Sequence, residues 1–450
     1  MESTFSSHTV LLPWLTAALL LVTPTKSHAI STCVSESSQN ASNLAFRMLD
    51  SNTARGQGSG ISAAATGLIE LSIYQQAVRE GIAATNSTYQ RQQWQAQLQT
   101  GVDSAAAVLG NSTEDVGLPL DRFSLGSSLL IAQQESSTGN ASSTASVNAA
   151  IAALELSAAE QQRNANGGLW YYADPANLAY YHNLSYLDGM FSYSPFAVLA
   201  SASTPAENVT AETQGSSDCS SSLGALAALE QLELLYNITN RPSGLLVHGY
   251  DASKAHNWSN PLTGASPSVW GRSLAWYGLG LLNTLELLHE QTANNSDTNR
   301  DSPASVTQTT IRTKMQNLLN KVLLPQIAAA EHSYNLTGSY GVWQVVDHPG
   351  QTGNFVEASA SCMTVYTLLR SARLHLLTSS AARAQAVTVA QGIYNNVLSE
   401  FLTEANNRTL SLSGTSSVAT LSVEDVGYDV STIPQTVPWL LLLVADRLEG

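Results

Sequence analysis

The chain has 450 residues, enough for one large domain or two or three ordinary ones, and a formal net charge of −15 with only 12% charged residues. That balance excludes a nucleic-acid binder, because phosphate contacts need clustered Lys and Arg. It also sets a tension: the global field repels an anionic substrate, so only local cations can hold one.

Residues 10–22 form an apolar run of signal-peptide length, too short to span a bilayer comfortably, and Ser27-His28-Ala29 offers a small-x-small cleavage site. The preceding flank is weak for a leader, since Glu2 and His8 stand where Lys or Arg is usual. We expect residues 1–29 to be a signal peptide, 30–39 a flexible segment and 40–450 a single catalytic domain, secreted and extracellular. Asn-x-Ser/Thr sequons at Asn40, Asn86, Asn111, Asn140, Asn183, Asn208, Asn237, Asn257, Asn294, Asn335 and Asn407 favour the same compartment. With the leader removed no segment is long and apolar enough for a membrane; even 437–444 is short and bounded by Pro438 and Asp446. Cys33, Cys219 and Cys362 permit at most one internal disulfide and fit no metal spacing; Cys362, in an apolar run, reads as a buried thiol.

Helical periodicity then recurs along the chain, while alternating strand patterns are scarce. The spacing predicts helices over 41–50, 61–80, 88–109, 122–134, 146–163, 186–202, 221–236, 269–289, 309–330, 356–377, 381–401 and 434–448. About twelve helices with polar or Gly/Pro-marked breaks suggest an all-α (α/α)6 barrel, an inner ring of six wrapped by an outer ring. The Ser/Thr-rich pieces 135–146, 201–222 and 291–309 are short enough to be surface loops.

Four segments carry the chemistry. Asp121 opens a predicted helix in Leu118-Pro-Leu-Asp-Arg-Phe, where an aspartate serves equally well as an N-cap. Asp188 sits among aromatics at a loop–helix junction, where apolar crowding raises a carboxyl's proton affinity as a general acid requires; it too can be read as a cap. The stretch 244–276 packs His248, Tyr250, Asp251, Lys254, His256, Trp258, Trp270, Arg272 and Trp276 into a Gly- and Pro-marked loop running into a helix. Such a loop offers ring faces for sugars, and Arg272 offers a fork for a carboxylate, with Trp276 one turn further on. His248 and Asp251 lie three apart, but no third ligand follows, so no metal and no other cofactor is expected. In the fourth segment Trp343 and Asp347 precede a loop that delivers Asn354, Glu357 and Ser359 to a helix start, and Glu357 there can be a first-turn acid favoured by the helix dipole. There is no Gly-x-Ser-x-Gly elbow, His-Glu-x-x-His, P-loop or dinucleotide fingerprint.

The runs YLDGMFSYSPF (186–196), GLLVHGYD (244–251), Trp258 with TGASPSVWGR (263–272) and Trp276, and VWQVVDHPG with GNFVEASAS (342–361) resemble the unsaturated rhamnogalacturonyl hydrolases, glycoside hydrolase family 105, and the related unsaturated glucuronyl hydrolases. The resemblance runs in order from about Asp121 to the last predicted helix. It implies an (α/α)6 barrel that removes a Δ4,5-unsaturated uronic acid from the nonreducing end of lyase-generated, rhamnogalacturonan-type oligosaccharides. It also implies Asp188 as general acid/base, with Asp121 beside it keeping it protonated by like-charge repulsion. Substrate contacts are expected from His248, Asp251, Trp258, Arg272, Trp276, Trp343 and Glu357, in a monomer. The chain departs from the family between Arg272 and Trp276, where it has Ser273, Leu274 and Ala275 in place of the usual Gly or Ala, Asn, Gly. Asn257 is a sequon inside the presumed substrate loop, so we expect it unused or turned outward. The rival readings are another (α/α)6 enzyme, an endo-mannanase or a polysaccharide lyase, and a non-catalytic carbohydrate-binding protein. No Asp-Asp pair supports the mannanase reading.

Overall fold

The computed structural model describes residues 38–433 apart from 136–140, 174–178, 204–221, 295–302, 418, 424–426 and 429–431. The expected leader, Cys33, Cys219 and the helix expected over 434–448 lie outside the described residues.

Helices alternate between two layers. The outer layer is α1 (Ser38–Ala54), α3 (Thr88–Val108), α6 (Ala141–Ala159), α8 (Ala225–Thr239), α10 (Pro303–Thr337) and α12 (Ser380–Glu400). The inner layer is α2 (Gly67–Ala84), α5 (Arg122–Glu135), α7 (Gly189–Ser203), α9 (Gly271–Asn294) and α11 (Ala358–Arg373), each packed on the next. A one-turn helix, α4 (Ser112–Asp115), was not expected.

Burial separates the two layers. Inner α11 buries fourteen of its sixteen residues. Outer α12 buries only a stripe of seven out of twenty-one, Ala382, Ala386, Val389, Ala390, Ile393, Tyr394 and Val397, at the spacing of one helix face. This is the (α/α)6 barrel that the helical pattern predicts. The core is continuous from Met48 through Phe123, Phe196, Tyr277 and Met363 to Val397. Among the described residues no helix is long and apolar enough to cross a membrane.

Among the described residues short strands form three separate antiparallel pairs outside the helices. β1 (Leu184–Tyr186) pairs antiparallel with β2 (Gly249–Asp251), Leu184 opposite Asp251 and Tyr186 opposite Gly249. That pairing corrects the predicted helix start at 186: the helix begins at Gly189, after the strand and Asp188. Gly249 permits the pairing, since a Cβ there would lie 2.4 Å from the Ser185 carbonyl. β3 (Leu402–Glu404) pairs with β4 (Leu410–Leu412), and β5 (Thr415–Ser416) with β6 (Thr432–Ile433). Cys362 is a free, fully buried thiol.

Candidate active site

The site sits where the inner helices begin. Asp121 immediately precedes α5, Asp188 precedes α7, Arg272 lies in the first turn of α9, and Ser359 in the first turn of α11. A helix start presents unpaired N–H groups and a partial positive charge. Several starts directed to one place make the local field favourable to an anion although the chain as a whole is strongly acidic.

These positions wall a cavity of about 550 Å³. Of the nine residues expected at the site, six line it: Asp121, Asp188, His248, Trp258, Arg272 and Trp276. The sequence reading missed the tyrosine wall of Tyr171, Tyr172, Tyr181 and Tyr186, and a second wall from Ser416, Ser417 and residues 419–422. The first had a signal, the crowding of tyrosines in a stretch without helical period. The second had none, since its Ser/Thr composition is that of any surface loop.

Asp188 is held on one oxygen. The Ser273 hydroxyl donates to Oδ2, and Nε2 of His248 lies 3.3 Å from the same atom. The other ring nitrogen, Nδ1, is 2.6 Å from the Thr420 carbonyl and therefore carries a hydrogen. A proton shared between Nε2 and Oδ2 has a direct path from one atom to the other. Burial pushes the Asp188 carboxyl up, but the His248 charge and the hydrogen bonds from His248 and Ser273 more than offset it, so Asp188 lies below the ordinary carboxylate range.

Asp121 goes the other way. Burial raises its carboxyl to about 7; the Tyr171 hydroxyl, 2.7 Å away, opposes the rise and the charge of Asp188 adds to it. This corrects the expectation that Asp121 keeps Asp188 protonated. The imidazole and hydroxyl on Asp188 favour its ionised form, and that charge adds to the rise that burial imposes on Asp121.

Arg272 is anchored from behind. Its Nη1 donates to the Ser416 carbonyl at 2.7 Å and to Glu357 Oε1 at 3.3 Å. Glu357 in turn accepts from the Ser416 N–H at 2.9 Å and caps α11 through the Ala360 N–H at 2.6 Å. Glu357 is therefore a support behind the wall and not the substrate contact expected of it. Trp276 lines the cavity against Phe191, with ring centroids 4.6 Å apart.

Two other expected contacts are also displaced. Asp251 is fully buried, and its two oxygens accept from the Ser253 N–H and hydroxyl, the Ala255 and His256 N–H groups and His256 Nδ1, all within 3.1 Å. It organises the loop and leaves the cavity to Trp258, which stacks on His256 at 5.0 Å and whose indole N–H has no acceptor among the described residues. Trp343 gives its N–H to the Ser333 hydroxyl at 2.7 Å, outside the cavity wall. Asn257 is exposed, turned outward as expected. Among the described residues no group of three or more His, Cys, Asp or Glu side chains is placed to hold a metal ion.

A helical double ring with two carboxyls lining one cavity, an anchored guanidinium and an aromatic wall is a scaffold of the glycoside hydrolase class. The family is more definite. Residues 74–448 match the model described as Glycosyl Hydrolase Family 88, and the chain belongs to that family. Protein Atu3128 of Agrobacterium fabrum is 34% identical over 158 residues, which is 35% of this chain and 57% of that protein, so the chain spans little more than half the length of that relative. A family 105 glycoside hydrolase of C. acetobutylicum has a similar fold, with a TM-score of 0.65 at 20% identity over 90% of this chain and 99% of that one. So does an unsaturated glucuronyl hydrolase of Bacillus sp. GL1 responsible for degrading glycosaminoglycan, with a TM-score of 0.60 at 13% identity over 92% of this chain and 97% of that one.

Proposed function

We propose that this chain releases Δ4,5-unsaturated uronic acid from the nonreducing end of oligosaccharides left by polysaccharide lyases, with rhamnogalacturonan fragments as the first substrate class. The observation that carries this reading is the contact of His248 Nε2 and Ser273 with one oxygen of Asp188, in a cavity that Asp121 and Arg272 also line. The family and the named activity of the Bacillus relative support it.

The Arg272 fork takes the uronyl carboxylate, and the tyrosine and tryptophan faces take the sugar rings. The bound anion expels water and adds negative charge beside Asp188. Both effects favour the neutral form of the His248–Asp188 pair, so the shared proton moves from Nε2 to Oδ2. Asp188 then protonates C4 of the enol ether, and the positive charge spreads over C5 and the ring oxygen. The resulting carboxylate takes a proton from the water that attacks C5. The hemiketal so formed opens, leaving a C1 hemiacetal that expels the neighbouring sugar. One carboxyl serves as acid and then as base, so the carboxylate separations of retaining and inverting glycosidases do not apply.

The leader-like N-terminus and the sequon density support export and glycosylation, and we expect a secreted monomer; a mass loss on deglycosylation of the secreted chain checks the first, and its sedimentation the second. The function is tested by following the ultraviolet absorbance of the conjugated double bond. The protein should bleach it and Asp188→Asn should not. A full rate in that variant overturns the reading.

A further inference from the structure

Some hydroxyls on the inner helices turn back on their own backbone: Thr284 donates to the Gly280 carbonyl at 2.7 Å and Thr367 to Met363 at 2.8 Å. Ser273 does not. It is fully buried on α9, yet it donates across to Oδ2 of Asp188 at the head of α7.

We propose that Ser273 is a positioning residue for the catalytic acid: by donating into Oδ2 beside His248 it fixes the plane of the carboxyl, biases the shared proton toward the imidazole, and so sets the alkaline edge of the working pH range. This rests on the reading of Asp188 as the general acid. A hydroxyl donor favours the ionised acceptor, so it draws Asp188 down in the same direction as His248. Bound to Oδ2, it also restrains the carboxyl from rotating the other oxygen away. The titratable and charged groups that face Asp188 are His248 before β2, Asp121 before α5, Tyr171, Tyr172, Tyr186 on β1, and Arg272 beside Ser273 on α9. Ser273 is uncharged throughout the pH range, so removing it changes none of these charges and isolates one hydrogen bond.

The test is Ser273→Ala, with Ser273→Cys as a variant of similar size and weaker donation. Carbon-13 spectra of the intact protein carrying aspartate labelled at the carboxyl, with the Asp188 signal identified by its loss in Asp188→Asn, read the titration directly and without substrate. In Ser273→Ala the Asp188 midpoint should move up by about one pH unit, and in Ser273→Cys by less. In turnover the alkaline edge of the kcat profile should move up by the same interval while KM stays within about twofold, giving up to about tenfold more activity just above the wild-type edge. An unmoved Asp188 midpoint overturns the proposal whatever the activity, as does a drop in kcat equal at every pH. A moved midpoint in a protein that bleaches no unsaturated substrate leaves the proton argument standing and sinks the functional reading instead.

Discussion

Two aspartates beside one pair of strands have opposite fates. Asp251 ends β2, opposite Leu184; Asp188 lies two residues beyond β1. Asp251 receives five donors shared over both oxygens, and burial notwithstanding, those donors hold its carboxyl down to about 2. A carboxylate satisfied on every side has no capacity left for a substrate. Asp188 has a hydroxyl and an imidazole on a single oxygen, a second acid nearby, and a cavity in front. What separates a structural acid from a reactive one here is the saturation of the carboxyl. The opposed strands are common to both, and only Asp188 keeps part of its side chain open, 14% against none for Asp251.

The comparison is broken most directly at Asp188. Asp188→Asn should lower kcat/KM by about 10³-fold or more, since an amide can neither give nor take the proton, while the denaturation midpoint moves little. Asp251→Asn should do the reverse. Turning either oxygen into an amide nitrogen sets donor against donor in a fully buried loop, and chemical denaturation should register a loss of about 2–4 kcal/mol. Its activity under folded conditions should stay within about tenfold of wild type, because the loss acts through the placement of Trp258. Asp251 also contributes a pH term: its depressed carboxyl stabilises the fold above the unfolded value of about 4, and that contribution is lost as pH falls toward 2.

Asp121 gives the opposite slope and a smaller effect. Burial lifts its carboxyl to about 7, so the folded state keeps a proton that the unfolded state releases near 4. The stability this contributes is complete below about 4 and is lost as pH rises through 7. Asp121→Asn removes the slope. Between pH 5 and pH 8 the wild type should lose about 2–3 kcal/mol more than the variant, measured by denaturant titration at both values. Parallel losses would show that Asp121 ionises as freely in the folded chain as in the unfolded one.

Much of this was legible in the sequence because the inner helices are long and periodic and their first residues are unusual. Asp121, Asp188 and Arg272 stand at helix starts, and the helical pattern alone brings such starts to one end of a barrel. The roles within the site were less legible. A sequence shows that Asp251 is followed by Ser253 and His256, but whether those groups fold back on its carboxyl depends on the turn held by Gly264, whose φ is +78° and whose Cβ would lie 2.0 Å from the Asp251 carbonyl oxygen. Residues 416–422 escaped notice for another reason. Ser416 acts through its main chain, accepting from Arg272 and donating to Glu357, and Thr420 acts through its carbonyl on His248. Backbone groups are the same in every residue, so no residue pattern announces them.

The smallest effect tests where the site ends. Trp343 carries the side chain most suited to a sugar face in its segment, yet its N–H is given to Ser333, whose own hydroxyl donates to the Ser339 carbonyl at 3.0 Å. Trp343→Phe keeps most of the ring and removes that one hydrogen bond, so stability should fall by about 1 kcal/mol. KM and kcat should remain within about twofold of wild type, because the indole lies outside the cavity wall that includes Arg272 and Ser416. A tenfold rise in KM with stability unchanged would mean that the sugar reaches past that wall. Trp343 would then join Trp258 and Trp276 as a ring contact, and the boundary drawn between support and substrate on the α11 side would have to move outward.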